Sequence, residues 1–280
     1  MSTPASDPPP DVPRHADTRK PSPQSSAKDL VQNLLRRVGY QFIRVQPADL
    51  RYERPSFDPT LDLPPGAERE LRPDHPRLLE LRERYARCQL PMPMHTMWQA
   101  NFLERELQLG AFRGDNPYVW QFRNVGADAR RKYYLYLRDV ASRDTRGLLK
   151  RLEEDGLFGC WTFDFPDWPL VSRDLLDSIN ELYFLDRQLN LFGGSCRGWT
   201  VLDIGAGYGR LAHRALTAVP DIRYVCSDAV PESSFLCEYH LRFRGCMDRA
   251  EVVPLDELQR LDGRCFELAV NVHSFSEMSA

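Results

Sequence analysis

The chain has 280 residues, of which 42% are hydrophobic and 28% charged, and its formal net charge is -3. That balance belongs to a globular protein with enough chain for a full core, and it excludes the basic surplus of a nucleic-acid-binding protein. Nowhere does an apolar run reach the roughly 18 residues of a membrane crossing, and no signal-peptide core follows Met1, so a cytoplasmic protein with no membrane partner is expected.

The seven cysteines are scattered, with neither a C-x-x-C pair nor a histidine at zinc-finger spacing. They read as reduced, mostly buried thiols, and no metal site is expected. Residues 1–27, "MSTPASDPPPDVPRHADTRKPSPQSSA", hold few large apolar side chains and read as a disordered Pro/Ser-rich tail. In "KDLVQNLLRRVG" the residues Leu30, Val31, Leu34, Leu35 and Val38 share one helical face, and Gly39 is a plausible stop. Prolines 55, 59, 64, 65 and 73 then break the chain into an irregular stretch.

From residue 77 to 192 the pattern is mainly helical, in "RLLELRERYARC", "TMWQANFLERELQLG", "ADARRKYYLYLRDVAS", "DTRGLLKRLEEDG" and "SRDLLDSINELYFLDRQLNLFGG". Arginine is dense in two of these segments, but acids interleave it at helical spacing, which predicts solvated helix faces. In the last segment Ser172 is the expected cap, Leu175, Leu176, Ile179 and Leu182 the buried stripe, and Gly193-Gly194 the stop. "CWTFDFPDW" reads as either strand or loop.

After Gly194 short apolar strands alternate with helices: "TVLDIGA", "GRLAHRALTAV", "RYVCSDA", "SSFLCEYHLRFRG", "AEVVPL" and "FELAVNVHSF". Such alternation predicts an α/β fold with a doubly wound parallel sheet over residues 195–280, preceded by a mainly helical region over 28–194. Gly205, Gly207 and Gly209 lie between the first strand and its helix in a G-x-G-x-G pattern, with Arg210 where a dinucleotide fingerprint places its last glycine. Asp203, two residues before Gly205, would repel a pyrophosphate but suits a cofactor with cationic ammonium and sulfonium groups, as S-adenosylmethionine has. Asp228 ends the next strand, where an acid accepts hydrogen bonds from both ribose hydroxyls. Asp256 follows the third strand and is either an adenine-side residue or a helix cap.

"VLDIGAGYGRLAHR" resembles the first motif of the class I S-adenosylmethionine-dependent methyltransferases. "NVHSFSEMS", "VSRDLLDSINELYFL" and "LLKRLEEDGLFG" are similar to the sugar O-methyltransferases found with polysaccharide biosynthesis genes. The resemblance spans roughly Met97 to Ala280 and implies a Rossmann-like methyltransferase fold, S-adenosylmethionine as cofactor and a small-molecule or glycan acceptor. It also implies seven strands, in the order three, two, one, four, five, seven, six. Four are legible here, so the sheet is expected to be incomplete at its C-terminal side, with an apolar edge open to pairing with another copy.

Asn271, His273, Ser274 and Glu277 follow the fourth strand, at the edge where open α/β sheets bind ligands. His273 is the candidate general base and Glu277 its orienting partner or a sugar-hydroxyl ligand, unless the pair only satisfies local backbone. His213 and His240, on amphipathic helices, read as structural. Two functions stay open: an S-adenosylmethionine-dependent O-methyltransferase, or an inactive fragment that binds the cofactor or a protein partner. A nicotinamide oxidoreductase is a distant third.

Overall fold

The chain divides into two compact units, Met1–Val45 and Gln46–Ala280. The computed structural model describes residues 35, 58, 60–88, 107–114 and 129–274. Of the first unit only Leu35 is described, and it is helical as the pattern predicts. The tail over residues 1–27 and Glu277 lie outside the described residues.

A single turn, α1 (Ala67–Glu70), falls in the stretch read as irregular, and the helical stretch is realised as α2 (Pro76–Ala86), α3 (Ala129–Arg143), α4 (Leu148–Arg151) and α5 (Arg173–Leu189). Helix α5 shows how directly local chemistry sets an element. The Ser172 hydroxyl accepts the Leu175 N–H at 3.0 Å, as a helix cap should, and Leu175, Leu176, Ile179 and Leu182 are fully buried. Each such side chain contributes about 2 kcal/mol by leaving water. The helix stops earlier than the glycine pair suggests, because Asn190 takes the left-handed conformation at φ 54° and ends it at Leu189.

Two other expectations are corrected. The reading of a helix over "DTRGLLKRLEEDG" shrinks to one turn. Asp144 caps the amides of Leu148 and Leu149, and Glu154 turns inward to two arginines, which pulls the chain out of helical register. Of the arginines of "LRERYAR", Arg87 is exposed as expected, but Arg82 and Arg84 are not on a solvated face. Arg82 pairs with Glu232, and Arg84 with Asp256 and Glu257, so α2 docks through them. The ambiguous "CWTFDFPDW" region contributes β1 (Thr162–Phe163), which pairs antiparallel with β2 (Val171–Ser172).

The second half follows the alternation closely: β3 (Thr200–Ile204), α6 (Arg210–Ala218), β4 (Arg223–Ser227), α7 (Pro231–Phe243), β5 (Ala250–Val252), a 3-10 segment Leu255–Leu261, and β6 (Leu268–Val270). All pairings are parallel, in the order β5-β4-β3-β6. The inner strand β4 is buried from Tyr224 to Ser227, as a strand covered on both faces must be. Among the described residues β6 pairs with β3 alone, and Ala269 is exposed.

Helices and sheet share one apolar cluster, from Leu78, Phe112, Leu148 and Ile179 to Val201, Leu216, Tyr224 and Leu236. The change of rhythm near residue 195 is therefore a change of architecture within the Gln46–Ala280 unit. Cys160, Cys196, Cys226, Cys237 and Cys246 are buried, Cys265 is exposed, and all seven thiols are free. No described helix is long and apolar enough to cross a membrane.

Candidate functional site

Strand β3 delivers Asp203 and then the glycine loop to the carboxyl edge of the sheet. All three glycines are left-handed, with φ of 76° at Gly205, 57° at Gly207 and 77° at Gly209, a region that strains other residues. Their surroundings differ. A methyl group on Gly205 would collide with the Ser274 side chain, and one on Gly209 would come within 2.9 Å of Cys237 Sγ and 3.2 Å of Leu241 Cγ. A methyl group on Gly207 would meet no atom within 4 Å. Internal packing therefore demands the outer glycines, while the middle one opens on free space.

The end of β4 holds this loop. The N–H groups of Gly205 and Ala206 donate to Ser227 O at 2.8 and 3.2 Å, and Gly207 N–H donates to Asp228 Oδ2 at 2.9 Å. Val230 N–H donates to the other Asp228 oxygen at 2.9 Å, which fixes the carboxylate at the strand end. From the opposite neighbour, Asn271 Nδ2 and Ser274 Oγ donate to Ile204 O at 2.6 and 2.9 Å. The sheet thus gathers Asp203, the glycines, Asp228, Asn271 and Ser274 at one edge.

Asp203 is the electrostatic centre of this group. It is 3% exposed, and no described residue hydrogen-bonds its carboxyl group. Burial pushes its pKa up to about 7, the Arg210 charge opposes that rise, and Glu181 and Asp228 add to it. Arg210 itself is spent on Glu181, at 2.9 and 2.8 Å, and on Ser178 Oγ at 2.8 Å. A largely buried acid that meets no hydrogen-bond donor among the described residues, and whose oxygens are not sealed from solvent, is what a ligand carrying a positive charge would complete.

The remaining candidates lie differently. Asp256 is the second residue of the 3-10 segment, with both carboxylate oxygens held by Arg84, at 2.7 and 3.0 Å. His273 is exposed and left-handed at φ 71°, one residue before the serine that packs on the glycine loop. His240 is buried and His213 half-buried, and desolvation holds His213 down to about 2 and His240 well below its ordinary value. Both are neutral packing groups. Among the described residues no group of three His, Cys, Asp or Glu side chains is placed to hold a metal ion.

Sequence pattern alone missed how the helical region grips the loop. Tyr208, between the second and third glycines, donates its hydroxyl proton to Asp174, and its carbonyl oxygen lies 3.1 Å from His240 Nδ1. Asp174 is in turn paired at 3.3 Å with Arg113, which is 2% exposed and reaches Glu154 with two bonds of 2.8 Å and Asp155 with one of 3.0 Å. Arg214 on α6 closes the network on Glu154 at 3.1 Å. Only the high arginine content of the helical segments hinted at it, and that signal also fits an ordinary surface.

No protein-family model and no curated protein matches the chain. Solved structures overlap it in part. The mitomycin 7-O-methyltransferase MmcR is 22% identical over 35% of this chain and 30% of its own, with a TM-score of 0.26. A coclaurine N-methyltransferase bound to N-methylheliamine and SAH is 18% identical over 52% and 44%, with a TM-score of 0.33. The N,N-8-amino-8-demethyl-D-riboflavin dimethyltransferase RosA from Streptomyces davawensis is 18% identical over 82% and 53%, with a TM-score of 0.22. The chain spans well under two thirds of these proteins. Likeness at that level carries no inference about function.

Proposed function

We propose that the chain binds S-adenosylmethionine and transfers its methyl group to a sugar hydroxyl. The observation that carries the cofactor reading is the largely buried carboxyl of Asp203, which meets no hydrogen-bond donor among the described residues, beside the open left-handed Gly207. The residues present fit such a group. Asp203 takes the cationic amino end, and the glycines 205, 207 and 209 let the backbone approach closely. Asp228, already fixed by two amides, accepts the ribose hydroxyls, and Asp256, held by Arg84, contributes to the adenine side from the first turn of its 3-10 segment. When bound, the sulfonium supplies an electrophilic methyl group.

The rest of the work falls to the chain. His273, at the same sheet edge, takes the proton of the acceptor hydroxyl, so that the oxygen attacks with a full lone pair. Glu277 orients the imidazole or the sugar. Exclusion of water and alignment of the acceptor supply the remaining rate. The sugar assignment rests on the resemblance of "NVHSFSEMS" and its companion segments alone.

The test is calorimetric titration of the chain with S-adenosylhomocysteine, beside an Asp203→Ala, Asp228→Ala double variant. Micromolar binding that disappears in the variant is expected, followed by methyl transfer to members of a sugar panel that His273→Ala slows by about 100-fold or more with cofactor affinity unchanged. A folded wild-type chain that binds no S-adenosylhomocysteine would overturn the reading. Binding without transfer to any sugar would leave a cofactor-binding protein.

A further inference from the structure

Helix α2 comes from outside the strand-helix alternation, yet it lies on the segments that follow β4 and β5. Leu78 and Leu81 are its buried side, and His75 caps it through Nδ1, accepting Arg77 N–H at 3.2 Å. Its polar side is anchored along α7 by Arg77 to Glu238, at 3.0 and 2.5 Å, and by Arg82 to Glu232 at 2.8 Å.

At the end of α2 one hydroxyl meets three segments. Tyr85 OH donates to Asp228 O at 3.3 Å, lies 2.7 Å from Ser234 Oγ, and accepts Leu255 N–H at 2.9 Å. A phenol has one hydrogen and two acceptor lone pairs. With the hydrogen given to Asp228 O, Ser234 donates, and the capacity of the hydroxyl is filled. Burial pushes its pKa up to about 12, so the proton stays in place across the working range.

These segments are not equivalent bystanders. Asp228 is the candidate ribose acid, whose carboxylate is already fixed by Gly207 and Val230. Leu255 precedes Asp256, whose carboxylate Arg84, the residue before Tyr85, holds in two bonds. Adjacent residues of α2 thus set the carbonyl of one candidate acid and the side chain of the other.

We propose that Tyr85 is a positioning residue of the cofactor site: its hydroxyl sets the spacing between the Asp228 segment and the Leu255–Asp256 segment, where the nucleoside end is received. This rests on the cofactor reading above. Removing the hydroxyl leaves the ring and the helix in place but frees the carbonyl, the serine and the amide at once.

The experiment compares the wild-type chain with Tyr85→Phe and with Arg77→Gln, which breaks an ion pair of the same helix away from the sheet edge. S-adenosylhomocysteine titration, thermal melting and site-resolved hydrogen exchange are read on each. Expected for Tyr85→Phe are binding about tenfold weaker and faster exchange confined to residues 228–234 and 255–257. Arg77→Gln is expected to bind within about twofold of wild type. Unchanged affinity in Tyr85→Phe, equal loss in both variants, or exchange accelerated throughout the fold would each overturn the assignment. If the wild-type chain binds no S-adenosylhomocysteine, the cofactor reading fails, and exchange alone decides whether Tyr85 orders these segments: unaccelerated amides there overturn it.

Discussion

Asp203→Asn is the sharpest perturbation that the site offers, because it separates the needs of a ligand from those of the fold. The wild-type carboxyl is raised from the ordinary 3.8 to about 7 by burial. A raised acid binds its proton more tightly when folded than when unfolded, so folding stability falls as pH rises between those two values and stays low above them. At 1.36 kcal/mol per pKa unit the penalty is about 4 kcal/mol at pH 8, about 2 kcal/mol at pH 5 and close to nothing at pH 3. The neutral amide escapes it. Urea denaturation should therefore find Asp203→Asn more stable than wild type by up to about 4 kcal/mol at pH 8, with the gap closing as pH falls. The same variant should lose cofactor affinity. In the wild type, affinity for S-adenosylhomocysteine should rise about tenfold between pH 6 and pH 8, as the carboxylate becomes available. A variant less stable than wild type at pH 8, or a difference that does not change with pH, would refute the reasoning.

Gly207→Ala meets no neighbouring atom, so it should cost only about 1–2 kcal/mol for the left-handed backbone while weakening S-adenosylhomocysteine binding by more than about tenfold. Unimpaired binding in calorimetry would place the ligand elsewhere. Arg113→Ala removes the arginine that buried Glu154 and Asp174 share, leaving Arg214 to the first and the Tyr208 hydroxyl to the second, and chemical denaturation should register a loss of about 3 kcal/mol. Glu154 provides the acid limb of the stability curve. Burial would raise its carboxyl, but Arg113 and Arg214 hold it down at about 2, so its contribution of about 3 kcal/mol is complete above pH 4.5 and is lost as pH falls toward 2. In Glu154→Gln the fall in stability between pH 4.5 and 2 should be shallower; an unchanged slope would contradict the assignment.

Much of the sheet was legible because its determinants are local. Tyr224–Ser227 is a continuous buried run, Leu175, Leu176, Ile179 and Leu182 recur at helical spacing, and three glycines at alternate positions can make a left-handed loop wherever they occur. Element ends were less legible. Asn190 and not Gly193 ends α5, since an asparagine can adopt the left-handed cap and the earlier one acts first.

By itself, then, the amino-acid sequence determined the strand-helix alternation after residue 195, the left-handed loop and the presence of acids near strand ends, because each depends on residues within a few positions of one another. Tertiary structure alone decided which acids are spoken for. Asp256 meets Arg84 across 172 positions of chain, whereas Asp203 meets no hydrogen-bond donor among the described residues. Tyr85 reaches Leu255 across 170 positions. Charge pairing and burial over such separations follow from how α2 packs on the sheet edge, and no periodicity in the chain encodes them.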